Sequence, residues 1–226
     1  MTKMGPEIFR VPKAVVGMVH VAALPGTPRS EEGIEAITER AVREAMLLVD
    51  AGFDALIIEN MHDVPYLRRN VGPEIVASMA VVASAVRGAV DVPLGVQVLA
   101  GANRAAVAVA QASGAGFIRA EGFVYAAVAD EGLLDEADAG PLLRYRKMIG
   151  ADDVKILVDV KKKHSSHTIT ADVDSAEAAR AAEFFGADGV IVTGVATARP
   201  TDVNDLRQVR VATKLPLAVG SGTRPE

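Results

Sequence analysis

Cysteine and tryptophan are absent from this 226-residue chain, and aromatic residues make up only 4% of it. Without thiols there is no disulfide framework, no thiolate nucleophile and no thiolate metal ligand, a composition that suits a reducing compartment. With so few stacking side chains and a formal net charge of −5, the chain also lacks the basic, aromatic surface that nucleic acids require. No apolar run reaches the ~18 residues needed to cross a bilayer, and the first twenty residues lack the charged start and apolar core of a secretory leader. The expectation is a cytoplasmic protein with no integral membrane segment and no nucleic-acid partner. Peripheral association at a membrane surface stays compatible with it.

Half of the residues are hydrophobic, enough for one large core, so residues 1–226 are expected to form a single domain. Apolar β-branched runs alternate with segments of helical period. Strands are expected at Ala14 to His20, Ala55 to Asn60, Leu94 to Leu99, Phe117 to Ala120, Ile156 to Val160, Gly189 to Gly194 and Leu217 to Ser221. Helices are expected from about Glu31 to Asp50 with Ser30 as cap, from Pro73 to Arg87, from Asn103 to Ala112, up to Ile149, from Asp174, and from Asp202 to Ala212. The stretch Glu121 to Asp138 is long for a loop after a strand, so it is either a cover or a carrier of its own strand pair.

Alternating strands and helices imply a parallel sheet with helical crossovers. Gly52-Phe53-Asp54-Ala55, Gly114-Ala115-Gly116-Phe117 and Gly186-Ala187-Asp188-Gly189 enter the even strands, whereas Asp91-Val92-Pro93 and Lys214-Leu215-Pro216 enter odd ones. A two-unit rhythm of this kind fits an α/β (β/α)8 TIM-type barrel, with a doubly wound open sheet as the alternative. No G-x-G-x-x-G follows the first strand, which removes the dinucleotide-binding version, and no motif calls for a cofactor. Only Gly-Thr-Arg-Pro-Glu follows the seventh strand, so the barrel is expected to lack its final βα portion. Either the version is truncated, or a neighbouring subunit or an unusual closure covers the strands at the open seam, and a homo-oligomer is expected.

Barrels of this type build their sites at the carboxyl ends of the strands. There the chain places His20, Glu59 with Asn60, Gln97, Arg119 with Glu121, Asp159, Lys161, Lys163 with His164, and Thr193. Any one of these can be an ordinary satisfied buried group, and the lysine run can be a solvated face. A polar residue at every strand end favours a ligand site. Strand alternation puts Lys155, Leu157, Asp159 and Lys161 on one face, setting a carboxylate beside an ammonium. Glu59, Asp159, Lys161, Lys163 and His164 are the candidate catalytic groups, with Glu59 or Asp159 as base and the cations balancing an enediolate-like anion. His20, Asn60, Gln97, Arg119, Glu121 and Thr193 are candidate substrate contacts, and Gly220-Ser221-Gly222 offers backbone N–H groups for a phosphate. Glu59 with His20 is a second candidate acid–base or ligand pair, and His62 and Asp63 follow Glu59 closely enough in sequence to join it. The spacing His164-x-x-His167 is compatible with metal binding, but the surrounding lysines oppose it, and no metal site is assigned.

The strings GMVHVAALPGTP (17–28), DALIIENMHDVPY (54–66), FIRAEGFVYAAVADEGLLDEADAGPLLRYRK (117–147), VDVKKKHSSH (158–167) and GADGVIVTGVATARPTD (186–202) resemble the BtpA/SgcQ family over nearly the whole chain. The resemblance implies a TIM-type barrel grouped with ribulose-phosphate-binding barrels. It also implies two kinds of role. Some members are factors for photosystem I accumulation, associated peripherally with thylakoids, and others sit in sugar-utilisation contexts. It carries no assigned catalytic residue. Two functions are therefore expected from different classes: an isomerase or lyase acting on a small phosphorylated sugar or nucleotide-like ligand, and a non-catalytic factor for assembly of photosystem I or another membrane complex.

Overall fold

The computed structural model describes residues 8–194, 200–221 and 223. Two compact units divide the chain: residues 1–119 with 145–155, and residues 120–144 with 156–226.

The first unit carries four parallel strands, β1 (Val16–His20), β2 (Ala55–Glu59), β3 (Leu94–Gln97) and β4 (Phe117–Ala120), each paired with the next. Between them run α1 (Ile34–Asp50), α2 (Pro73–Ala89) and α3 (Asn103–Ser113), α1 packing on α2 and α2 on α3. Every residue of β2, β3 and β4 is buried, which is what continuous β-branched runs give when helices cover a parallel sheet. Ile37, Ala41 and Ala45 form the buried stripe of α1, and Ile75, Met79, Val82 and Val86 that of α2, both at helical spacing. Each fully buried Leu, Ile or Val stabilises the fold by roughly 1.5–3 kcal/mol relative to exposure. Gly33, not Ser30, caps α1; the Ser30 N–H instead bonds the Thr27 carbonyl in the preceding turn, so the helix begins three residues later than the cap signal implied.

The second unit carries β5 (Ala127–Ala129), β6 (Gly132–Leu134), β7 (Lys155–Val160), β8 (Ser165–Ser166), β9 (Gly189–Thr193) and β10 (Leu217–Gly220). Strands β7, β9 and β10 pair in parallel in that order, while β6, β5 and β8 make a small antiparallel sheet. The 121–138 stretch thus holds a strand pair. Helix α4 (Ala139–Met148) follows it, with residues 139–144 in this unit and 145–148 in the first, and α5 (Ser175–Phe184) packs against α6 (Val203–Ala212). Asp174 and Asp202 cap these last two helices, their carboxylates accepting from the Glu177 and Asn204 N–H groups at 2.7 Å.

The repeated strand entries have a physical function. The Asp54 carboxylate accepts the Val15 N–H at 2.8 Å while the Asp54 N–H donates to the Val15 carbonyl. Asp188 does the same with Ile156, at 2.9 Å in both directions. One aspartate at each entry closes a two-way clasp on the neighbouring strand and fixes its register. Side-chain size alternates across register partners as well. A Cβ on Gly95 would collide with the ring of its partner Phe117, and one on Gly189 with its partner Leu157. Only glycine leaves room for those large side chains.

Candidate functional site

In the first unit, strand register lines up His20 with Glu59 and Glu59 with Gln97, and Arg119 follows the Val96–Ile118 pair by one residue. The expected polar row at the strand ends is therefore present. Glu59, Gln97 and Arg119 are buried, whereas His20 is exposed. His20 Nε2 lies 3.5 Å from Glu59 Oε2, an acid–base pair with one partner in solvent and one inside.

Just beyond this row a chain of hydrogen bonds joins three loops. Asn60, 1% exposed, accepts the Leu99 N–H on Oδ1 at 2.7 Å and donates from Nδ2 to Asp63 Oδ2 at 2.8 Å. Asp63 Oδ1 in turn accepts the Leu24 N–H at 2.8 Å. The loops after β1, β2 and β3 are thus tied through one amide and one carboxylate. Burial pushes the Asp63 carboxyl above the usual carboxylate range; the bonds from Leu24 and Asn60, and then the nearby His62, pull the other way without overcoming it. Both polar ends of the Asn60 side chain thus take part in the tie. Close by, a cavity of about 290 Å3 is lined by Ala22, Ala23, Arg29, Glu31, Arg40 and His62, with Arg40 in contact with Glu32.

In the second unit, β7 ends at Val160, and Lys161 takes a left-handed backbone, φ 48°. The expected continuation of the Asp159 face through Lys161 is therefore corrected: the strand stops one residue before the lysine. A left-handed non-glycine residue is sparsely populated and concentrates at functional turns, and His164 has one too, φ 56°. The turn carries Lys162 inward. Lys162 is 7% exposed, with its ammonium 3.2 Å from Glu121 Oε2 and 3.6 Å from Glu131 Oε2. One buried cation stands between two buried carboxylates. The sequence pattern points to Lys161 and Lys163, on either side, and not to Lys162, the lysine that is buried. Glu131, on the turn between β5 and β6, was missed as well, although a carboxylate in an insertion between two site strands was an available signal.

A pocket of about 40 Å3 opens between the β5–β6 hairpin and the end of β7, lined among others by Tyr125, Asp159, Lys161, Lys162, His167 and Thr170. Asp159 is buried, and Lys161 and Lys163 are half-buried. The hairpin is fastened over the turn by Val128–Ser166 and Ala129–Ser165 pairing, and His164 Nδ1 stands 4.0 Å from Asp130 Oδ2 beside it. His167 Nε2 lies 3.1 Å from the Lys162 carbonyl oxygen. The two histidines thus turn to separate partners, and among the described residues no group of three acidic or histidine side chains is placed to hold a metal.

Thr193 ends β9 opposite Gly220 of β10. Its Oγ1 is buried with no hydrogen-bond partner among the described residues. Ser221 follows in a left-handed conformation, φ 66°, and Gly222, the last of the expected phosphate contacts, lies outside the described residues.

Among the described residues no helix is long and apolar enough to cross a membrane. In overall fold the chain matches the solved structure of an N-acetylmannosamine-6-phosphate 2-epimerase from Clostridium perfringens. The TM-score is 0.57 at 11% identity, over 97% of this chain and 80% of that one. A likeness at that identity shows the fold alone, which is mixed α/β of the TIM-barrel type. In sequence, an uncharacterized mitochondrial protein of Caenorhabditis elegans is 47% identical over 213 residues, 92% of this chain and 76% of the relative. The photosystem I biogenesis protein BtpA of Synechocystis is 35% identical over 217 residues, 96% of this chain and 75% of the relative. Since the BtpA family model also matches residues 11–226, the chain belongs to the BtpA family.

Proposed function

We propose that this chain is an enzyme acting on a small phosphorylated sugar or nucleotide-like substrate by isomerase or lyase chemistry, with its site in the second unit. The observation that carries the proposal is the pocket at the end of β7, where a buried carboxylate and two lysines line one cavity. A buried carboxylate beside cations suits removal of a proton from a carbon next to a carbonyl. Asp159 takes the proton, the electron pair moves onto the carbonyl oxygen, and Lys161 balances the enediolate charge. Return of the proton to the former carbonyl carbon, as the hydroxyl proton of the neighbouring oxygen passes to the enediolate oxygen, gives the isomer; collapse of the enediolate with departure of a β-substituent, which takes the bonding electron pair and a proton from Lys163 or His164, gives the lyase product. Lys163 and His164 are the further cations and proton carriers at this turn. The Thr193 hydroxyl, without a hydrogen-bond partner among the described residues, and the backbone at Gly220 and Ser221 supply donors for a phosphate. The fold is shared with an enzyme whose name specifies a phosphorylated sugar. In the first unit, Glu59 with His20 is a second acid–base pair, with Gln97 and Arg119 as polar contacts beside it.

The pocket has room for a few waters, at about 10–15 Å3 each, and not for a sugar phosphate. Turnover therefore requires the hairpin to lift. The test is a thermal-shift screen with sugar phosphates and nucleotides, followed by proton NMR in heavy water with the hits. A substrate is expected to lose its carbon-bound α-proton signal with the native chain and to keep it with Asp159→Asn. A hit whose proton exchanges equally fast with Asp159→Asn would place the base elsewhere.

A second reading is favoured by the relative named for photosystem I biogenesis: a non-catalytic assembly factor, docking peripherally at a membrane complex. Phe184, 83% exposed, and Phe185 meet edge to face at the end of α5, an apolar pair available to a partner or to a second copy in a homo-oligomer. A screen silent for every ligand, together with loss of a complex or an oligomer on Phe184→Ser, would favour this reading.

A further inference from the structure

The contacts of Glu131 are unusual for a buried carboxylate. Its side chain is 10% exposed, its Oε2 has no hydrogen-bond partner among the described residues, and the ammonium of Lys162 is 3.6 Å away, beyond hydrogen-bond reach. Lys162 already has a closer carboxylate in Glu121, at 3.2 Å. Two carboxylates thus stand 3.2 and 3.6 Å from one ammonium, and the looser of the two sits on a turn between two three-residue strands. A charged group buried with incomplete pairing is costly to keep in place.

We propose that Glu131 occupies the seat of a substrate carboxylate: the ligand is a small acid whose carboxylate replaces that of Glu131 on Lys162, freeing the hairpin tip as it binds. The inference rests on the proposed ligand pocket, which Lys162 lines, and it narrows the substrate class to phosphorylated compounds that also carry a carboxylate. The chemistry already at the seat argues for carboxylate over phosphate, because the group filling it is a carboxylate. Exchange of one carboxylate for another leaves the charge at Lys162 unchanged. It also removes the buried Glu131 charge to solvent and lets the pocket grow. Lifting the turn draws Asp130 away from His164, so both ties between the turn and the β7–β8 segment open together.

The experiment measures binding of three probes, 2-phosphoglycolate, glycolate and methyl phosphate, by calorimetry to the native chain, Glu131→Gln and the double variant Glu131→Gln/Lys162→Met. Neutralising Glu131 removes the competing carboxylate from Lys162, so both carboxylate probes should bind Glu131→Gln about tenfold more tightly or better, methyl phosphate should not gain, and the double variant should lose the gain. Equal affinity of the carboxylate probes for the native chain and Glu131→Gln, including no binding to either, would overturn the proposal. A gain of the same size for methyl phosphate would overturn the carboxylate assignment. If glycolate gains on Glu131→Gln while methyl phosphate binds nowhere, the seat stands and the phosphate reading falls. Should the double variant not fold, the Lys162 Nζ resonance of Glu131→Gln gives the same answer: glycolate must shift it, and an unmoved resonance rejects the seat.

Discussion

Replacing Asn60 by aspartate changes one atom of a fully buried tie. Oδ1 can still accept the Leu99 N–H, but the second atom turns from a donor to Asp63 into an acceptor facing an acceptor. The Asp63 carboxyl is already held above its usual range by burial. Two carboxyls in that position cannot both ionise without strong repulsion, so the variant must share a proton between them or let the loops part. Losing one buried hydrogen bond and leaving a charged acceptor unpaired costs about 2–4 kcal/mol. The sign with pH follows from the raised carboxyl. Above the unfolded value of 3.8 the native state holds protons that the unfolded state has released. Stability therefore falls as pH rises from that value through the raised native one. In Asn60→Asp the coupled pair makes this fall deeper. Urea denaturation of both chains between about pH 4 and about pH 8 reads it directly, and the gap between them should widen with pH. A gap below about 1 kcal/mol, or one constant over that range, would refute the hydrogen-bond chain as the tie between these loops.

Other buried charges and close contacts give further expectations. Lys162→Met leaves Glu121 and Glu131 without their cation and should cost about 3–5 kcal/mol in urea denaturation, with part recovered by adding Glu131→Gln. Gly95→Ala forces a methyl group against the Phe117 ring and should cost about 1–3 kcal/mol, relieved when Phe117 is shortened to leucine. Asp188→Ala opens the clasp on Ile156 and leaves a strand-entry N–H unpaired, a loss of about 1–3 kcal/mol visible as faster amide exchange at Ile156.

Much of the scaffold is legible in the sequence because it is written in local signals. The run Phe117–Ala120 is a strand at the expected bounds, and Asp174 and Asp202 cap helices where an acidic residue precedes a helical stripe. Ser30 misled because a serine before an acidic stretch is an equally good turn residue, and here it closes the turn with Thr27. The row of polar strand ends in the first unit is legible, since parallel register carries His20 to Glu59 and Glu59 to Gln97. The Lys162 cluster is not, for a reason that strand periodicity cannot contain. Alternation predicts which way Lys161 points only while the strand lasts, and the left-handed residue at that position ends it. The Asn60 tie was hidden too, because two of its partners are backbone N–H groups, which no side-chain pattern marks.

The central claim is that the pocket at the end of β7 binds a small phosphorylated ligand and that Asp159 acts on it. Its most direct test is the stability of the native chain against that of Asp159→Asn across a panel of sugar phosphates and phosphorylated acids. A true ligand at ~100 times its dissociation constant should add ~2.7 kcal/mol of stability to the native chain, and its α-proton should exchange with solvent only when Asp159 is present. A panel in which no compound raises the unfolding temperature of the native chain would contradict the claim.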